Sequence, residues 1–267
     1  MSRIAKALAR ARAEGRIALM PFIVAGHPTP AATPGLLRTL FDAGADAVEL
    51  GVPFSDPLAD GATNQRANEA ALRQGMTLGR CLEAVREARR SGATGAIALM
   101  GYYNPILAYG LDRFVADAAA AGVDGLIVVD LPPEESEELR GRCREQGLDL
   151  IYLLAPTSSD ARIGMVAKRA SGFVYCVSLA GVTGARDRLP EELPAFLRRV
   201  RAQVTVPLVV GFGLSKPEHV EALRGLADGA IVGSALVNVI DHAPPGACEA
   251  NVRDYVGVLT GRSGARR

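Results

Sequence analysis

The stretch Phe41-Asp42-Ala43-Gly44-Ala45-Asp46-Ala47-Val48-Glu49-Leu50-Gly51 decides the fold. A helix-period run ends at Phe41, a glycine and an aspartate turn the chain, and a short strand follows that is apolar on both faces. The same phrase returns at Ala121-Gly122-Val123-Asp124 ahead of Leu126-Ile127-Val128-Val129, and in shorter form at Ala227-Asp228-Gly229 ahead of Ala230-Ile231-Val232. One supersecondary unit is being repeated. Outward from it, apolar or β-branched runs occupy residues 19–24, 47–50, 96–100, 126–129, 150–154, 173–177, 208–210 and 230–232, with helical spacers such as Leu36, Leu37, Leu40 and Phe41 between them. Strands buried on both faces and separated by helices read as a parallel sheet.

Eight such units within 267 residues predict one closed (β/α)8 TIM barrel spanning residues 1–267, because a doubly wound sheet usually stops near about six strands. Residues 1–14 predict an extra N-terminal helix across the barrel floor, and residues 241–249 a Pro-containing loop before the last helix. Two connections, 51–75 and 178–189, are too long for ordinary βα turns. Both follow strand C-termini, where barrels carry their sites, so both are expected to act as lids.

Composition removes several function classes. Hydrophobic residues make up 49% and charged residues 22%, with 30 basic against 29 acidic side chains, which excludes a disordered tail and a polybasic nucleic-acid binder. No apolar run approaches the roughly 20 residues of a membrane span, and the Arg-rich start does not read as a signal peptide. Cys81, Cys143, Cys176 and Cys248 show no C-x-x-C spacing, so a reducing, cytoplasmic location is expected. Lys6, Lys168 and Lys216 all fall away from strand ends, which disfavours a Schiff-base aldolase. His27, His219 and His242 are scattered without ligand spacing, so no metal is expected, and His27 reads as a loop histidine rather than a base. There is no P-loop, no G-x-S-x-G and no dinucleotide fingerprint.

What remains is phosphate and carboxylate chemistry without a cofactor. Val182-Thr183-Gly184, Gly211-Phe212-Gly213 and Gly233-Ser234-Ala235 follow strands six, seven and eight. Each is either a phosphate cup built from backbone N–H groups or a tight turn needing positive φ, and their joint presence favours phosphate. Glu49 ends the second strand, aimed into the mouth among Phe22, Met100, Ile127 and Tyr175. A carboxyl in such company has a raised pKa and can both give and take protons near neutrality; the competing reading is an acid paired with arginine or capping a helix. Asp56 and Asp60, within Pro53-Phe54-Ser55-Asp56-Pro57-Leu58-Ala59-Asp60-Gly61, stand open between turn formers and catalytic acids.

Taken together, Pro21-Phe22-Ile23, Glu49-Leu50-Gly51-Val52-Pro53-Phe54-Ser55-Asp56-Pro57, Ala59-Asp60-Gly61, Tyr102-Tyr103-Asn104-Pro105, Asp130-Leu131-Pro132, Leu154-Ala155-Pro156-Thr157, Gly181-Val182-Thr183-Gly184 and Gly211-Phe212-Gly213 resemble the tryptophan synthase α subunit family over nearly the whole chain. The resemblance implies a lyase that cleaves indole-3-glycerol phosphate to indole and glyceraldehyde 3-phosphate. It implies Glu49 as the proton shuttle, Asp60 as stabiliser of charge at the indole N–H, and Tyr175 as support for Glu49. Phe22, Met100, Ile127, Val129, Leu153 and Phe212 would enclose the indole ring. Gly184, Phe212, Gly213, Gly233 and Ser234 would hold the phosphate, with Thr183 closing over the site.

The same resemblance implies a pyridoxal-phosphate β subunit as partner in an αββα assembly, docked on Pro53, Asp56 and a loop carrying Tyr102, Asn104 and Pro105, with no cofactor in this chain. Four positions depart from the family pattern: His27, Ala62, Asn64 and Val129. A histidine-pathway sugar-phosphate isomerase would need aspartates after strands one and five, where Ala25-Gly26 and Ala155-Pro156 stand instead. A non-catalytic activator of a β subunit is disfavoured by the intact Glu49 and Asp60, and a free-standing indole-releasing enzyme stays open beside the partnered lyase.

Overall fold

The computed structural model describes residues 1–177, 190–211 and 213–261. In chain order the elements are α1 (Arg3–Ala13), β1 (Ala18–Val24), α2 (Ala32–Asp42), β2 (Ala47–Gly51), α3 (Ala62–Arg73), α4 (Leu78–Arg90), β3 (Ala96–Gly101), α5 (Tyr103–Tyr109) and α6 (Leu111–Ala121). There follow β4 (Gly125–Val128), a 3-10 turn (Pro133–Glu135), α7 (Glu137–Glu145), β5 (Asp149–Leu154), α8 (Asp160–Arg169) and β6 (Val174–Val177). The last part carries α9 (Leu193–Arg201), β7 (Leu208–Gly211), α10 (Pro217–Glu221), β8 (Gly229–Val232), α11 (Ser234–Asp241) and α12 (Cys248–Leu259).

Each strand pairs in parallel with the next, and β8 closes onto β1 through Ala18↔Gly229 to Pro21↔Val232, making an eight-stranded barrel. Every residue of β1, β2, β3 and β4 is buried, because each strand has side chains filling the barrel on one face and helices on the other.

The recurring aspartate has a structural reason beyond the turn. Asp46 accepts the Leu19 N–H at 3.0 Å, Asp124 the Ile97 N–H at 2.8 Å, and Asp228 the Leu208 N–H at 2.8 Å. Each acid at the start of an even-numbered strand thus satisfies an orphan donor at the start of the strand before it. Arginines neutralise these acids: Arg16 reaches both Asp46 oxygens at 2.6 and 2.8 Å, and Arg89 reaches Asp124 at 2.7 Å. The expected N-terminal helix lies on this floor. Ser2 caps α1, Arg3 pairs with Asp124 and Arg10 with Asp46. Ile4 and Leu8 are fully buried on its inner face, each contributing roughly 1.5–3 kcal/mol.

The connections differ from expectation at the mouth. The 51–75 segment is not all loop, since α3 begins after an extended Gly61 and buries Ala67, Asn68 and Ala71. The loop part of this expected lid is therefore residues 52–61. Asn104 and Pro105 also lie not in a loop but in the first turn of α5. The 178–189 connection falls outside the described residues.

Candidate active site

Glu49 is the third residue of β2, in register with Phe22 of β1 and Ala98 of β3. Its side chain is 1% exposed and neither carboxyl oxygen has a hydrogen-bond partner. Burial first, and the charge of Asp60 second, pushes the carboxyl from its ordinary 4.5 up to about 8. Among the described residues no arginine and no helix terminus holds it, which counts against a purely structural acid. A carboxyl in this state can carry or release a proton near neutral pH.

Asp60 serves as a turn former and an inward acid at once. Its backbone N–H closes a turn on the Pro57 carbonyl at 2.9 Å, while its side chain points inward, 5% exposed, and accepts the Tyr102 hydroxyl proton at 3.2 Å. Burial raises the Asp60 pKa, and hydrogen bonds from Tyr102 and Asn64 oppose that rise by favouring the carboxylate. Tyr102 also accepts the Ala59 N–H at 2.9 Å and packs against the Phe54 ring, with centroids 4.9 Å apart. The 52–61 loop is thereby fastened to the end of β3. Asp56, by contrast, is exposed; its carboxylate accepts the neighbouring Ser55 hydroxyl and its carbonyl the Leu58 N–H.

Tyr175 of β6 is buried across the barrel. Burial, then the charges of Glu49 and Asp60, raises its phenol well above 10. Glu49, Asp60 and Tyr175 thus form one electrostatically coupled group. A Cβ on Gly211 would run into the Tyr175 ring and hydroxyl, so the end of β7 must be glycine for the ring to lie there.

The expected phosphate side sits next to Phe22, whose ring would be 3.4 Å from a Cβ on Gly233. Gly233 is the N-cap of α11, and its carbonyl accepts from Leu236 and Val237 at 2.8 and 3.1 Å. The N–H groups of Ser234 and Ala235 lie ahead of any intrahelical acceptor and can take an anion. Ser234 Oγ donates to Asn64 Oδ1 at 3.4 Å, so Asn64 stands between this helix start and Asp60. Gly213 turns at φ 79 on the exposed rim.

Of the other expected lining residues, Met100 and Ile127 are buried, and Val129 and Leu153 half-buried against the core. Thr183, Gly184 and Phe212 lie outside the described residues. On the expected docking face, Asp56 and Asn104 are exposed, Pro105 is half-buried, and Pro53 and Tyr102 are buried. The Tyr102 hydroxyl belongs to Asp60, a contact that sequence reasoning missed along with the bridging place of Asn64. His27 is buried with Nε2 2.8 Å from Asp241 Oδ1, tying the end of β1 to the end of α11. Among the described residues, no three His, Cys, Asp or Glu side chains converge as a metal site, and no helix is long and apolar enough to cross a membrane.

Comparison with known proteins agrees with this geometry. The family model described as tryptophan synthase alpha chain matches residues 8–258. The tryptophan synthase alpha chain of Roseiflexus castenholzii is 55% identical over 261 residues, covering 98% of this chain and 100% of that one. The solved tryptophan synthase subunit alpha of Legionella pneumophila superposes with a TM-score of 0.90 at 39% identity, covering 98% of each chain. A Mycobacterium tuberculosis tryptophan synthase structure gives 0.90 at 37% identity, again covering 98% of each chain. With a family model spanning most of its length and relatives above half identity, the chain belongs to the tryptophan synthase alpha chain family.

Proposed function

We propose that this chain cleaves indole-3-glycerol phosphate to indole and glyceraldehyde 3-phosphate in tryptophan biosynthesis, as a metal-free acid/base lyase. The observation that carries the reading is Glu49: wholly buried, without a hydrogen-bond partner, poised at about 8 and coupled to Asp60 at the barrel mouth. An indole carbon leaves poorly until C3 is protonated. Protonated Glu49 gives its proton to C3, and the ring nitrogen takes up the positive charge. The Asp60 carboxylate, favoured by the Tyr102 and Asn64 hydrogen bonds against the opposing effect of burial, stabilises that charge at the indole N–H. Glu49, now a carboxylate, takes the proton from the glycerol hydroxyl next to the scissile bond. The O–H electron pair becomes the aldehyde C=O, the C–C bond breaks, and its electrons neutralise the indole ring.

Tyr175 supports Glu49. Phe22, Met100, Ile127, Val129 and Leu153 enclose the indole and keep water from the shuttle. Gly213, Gly233 and Ser234 hold the phosphate, joined by Gly184 and Phe212, with Thr183 closing over it. The product indole passes to a β subunit in a cytoplasmic αββα assembly, in which pyridoxal phosphate belongs to the partner. The docking face comprises Pro53, Asp56, Tyr102, Asn104 and Pro105, of which Asp56 and Asn104 are exposed. Indole release from indole-3-glycerol phosphate, assayed with and without a β subunit, tests the reading. Release that rises on adding the β subunit supports it, whereas no release under either condition reduces the chain to a non-catalytic activator.

A further inference from the structure

We propose that the barrel floor, opposite the mouth, carries a second anion site: a groove formed by Arg3, Arg86, Arg89 and Arg90 that binds a small polyphosphate group. The groove has a volume of about 580 Å3 and is also lined by Thr94, before β3, and Gly122, before β4. Its walls come from α1, α4 and the end of α6. Arg86 and Arg90 are four residues apart on α4 with Arg89 on the same side, a spacing at which like charges oppose the helix.

The charges in the groove are not balanced internally. Asp124 pairs with Arg3 at 2.9 Å and with Arg89 at 2.7 Å, and its remaining capacity is used by the Ile97 N–H. Arg89 spends its other donors on the Ala93, Gly95 and Gly122 carbonyls. Burial and the nearby Arg3 charge push the Arg89 guanidinium down, against the pull of Asp124. Arg86 and Arg90 make no hydrogen bond or ion pair among the described residues. Two of the four guanidinium groups therefore share one carboxylate and the other two meet none within ion-pair distance, even with Glu83 and Glu87 one turn earlier on α4, in a chain whose 30 basic and 29 acidic residues otherwise nearly cancel.

Arginine dominates this chain everywhere, so arginine alone is no argument. The local surplus is. A guanidinium with free forked donors, next to others like it, matches phosphate oxygens in pairs, and several together favour a ligand with more than one phosphoryl group. An open groove of this size, short in extent, suits a small molecule rather than a polynucleotide. It also lies at the strand N-termini, away from the Gly213 and Ser234 turns, so the two anion sites do not overlap.

The test is calorimetric titration of the full chain at low salt with inorganic pyrophosphate, ATP and orthophosphate in separate arms. Pyrophosphate or ATP is expected to bind, more weakly as salt rises, and to lose at least about tenfold in affinity in the Arg86→Ala/Arg90→Ala double variant, the scale of one charge-assisted contact. Arg90→Glu alone should weaken binding in the same direction. ATP binding above that of pyrophosphate identifies a nucleotide, and equal binding a bare polyphosphate. No heat from any anion overturns the proposal. So does affinity undiminished in both floor variants. Orthophosphate bound as tightly as pyrophosphate overturns the polyphosphate assignment.

Discussion

Replacing Glu49 by glutamine should cripple the enzyme and strengthen the fold. Glutamine keeps the shape of the protonated acid and cannot ionise. In the wild type the carboxyl titrates at about 8 when folded, against an ordinary 4.5. The native state therefore holds this proton more tightly than the unfolded state, so the stability it contributes is complete below about pH 4.5 and is lost as pH rises toward 8. At 1.36 kcal/mol per unit, the penalty is about 1 kcal/mol at pH 5 and about 5 kcal/mol at pH 9. Titrations outside the coupled group of Glu49, Asp60 and Tyr175 nearly cancel between variant and wild type. The stability advantage of Glu49→Gln should thus widen by about 4 kcal/mol over that range. Urea unfolding of both proteins at the two pH values measures it directly. Turnover should meanwhile fall at least about a hundredfold, the scale of losing a general acid/base. Parallel stability profiles would show that Glu49 is not a buried, raised acid, and wild-type turnover in the variant would remove the proton shuttle.

Asp60→Asn should cost a similar factor of about a hundred in turnover, and an unchanged rate would leave Asp60 as a turn residue only. Tyr102→Phe removes a bond that favours the Asp60 carboxylate, so turnover should drop about tenfold, the rate equivalent of one hydrogen bond to a charged group. The acid limb of the kcat profile should also move to higher pH, and an unmoved limb would separate Tyr102 from Asp60. A thiol reagent should modify Cys248 first in the native protein. Cys81, Cys143 and Cys176 are buried with thiols pushed up to about 12, so mass spectrometry finding any of them labelled ahead of Cys248 would refute their burial.

The barrel was legible because its signal is periodic and local. Apolar runs bounded by a glycine and an aspartate recur with helical spacers between them, and no tertiary knowledge is needed to count them. The reason for the aspartate was not legible. Asp46 serves Leu19, 27 positions earlier, and Asp124 serves Ile97 across a similar gap. Such pairings exist only once the strands are neighbours. Helix α3 was missed inside the 51–75 connection because the Pro- and Gly-rich first half masks the helical second half, whose mixed Ala, Asn and Arg composition gives little apolar period.

The site divides along the same line. Glu49 stands out in sequence because one acid inside an apolar strand has few structural excuses, and its raised pKa follows chiefly from burial, with the Asp60 charge second. Asp60 stayed ambiguous because turn and chemistry use different atoms of one residue: the backbone N–H closes on Pro57 while the carboxylate reaches Tyr102. No local pattern can separate two roles that do not compete. Tyr102 and Asn64 were beyond reach for a further reason. Both act on Asp60 by a single hydrogen-bonding atom, and a tyrosine among aromatic neighbours or an asparagine early in a helix has the same local signature whether or not that atom meets a buried acid.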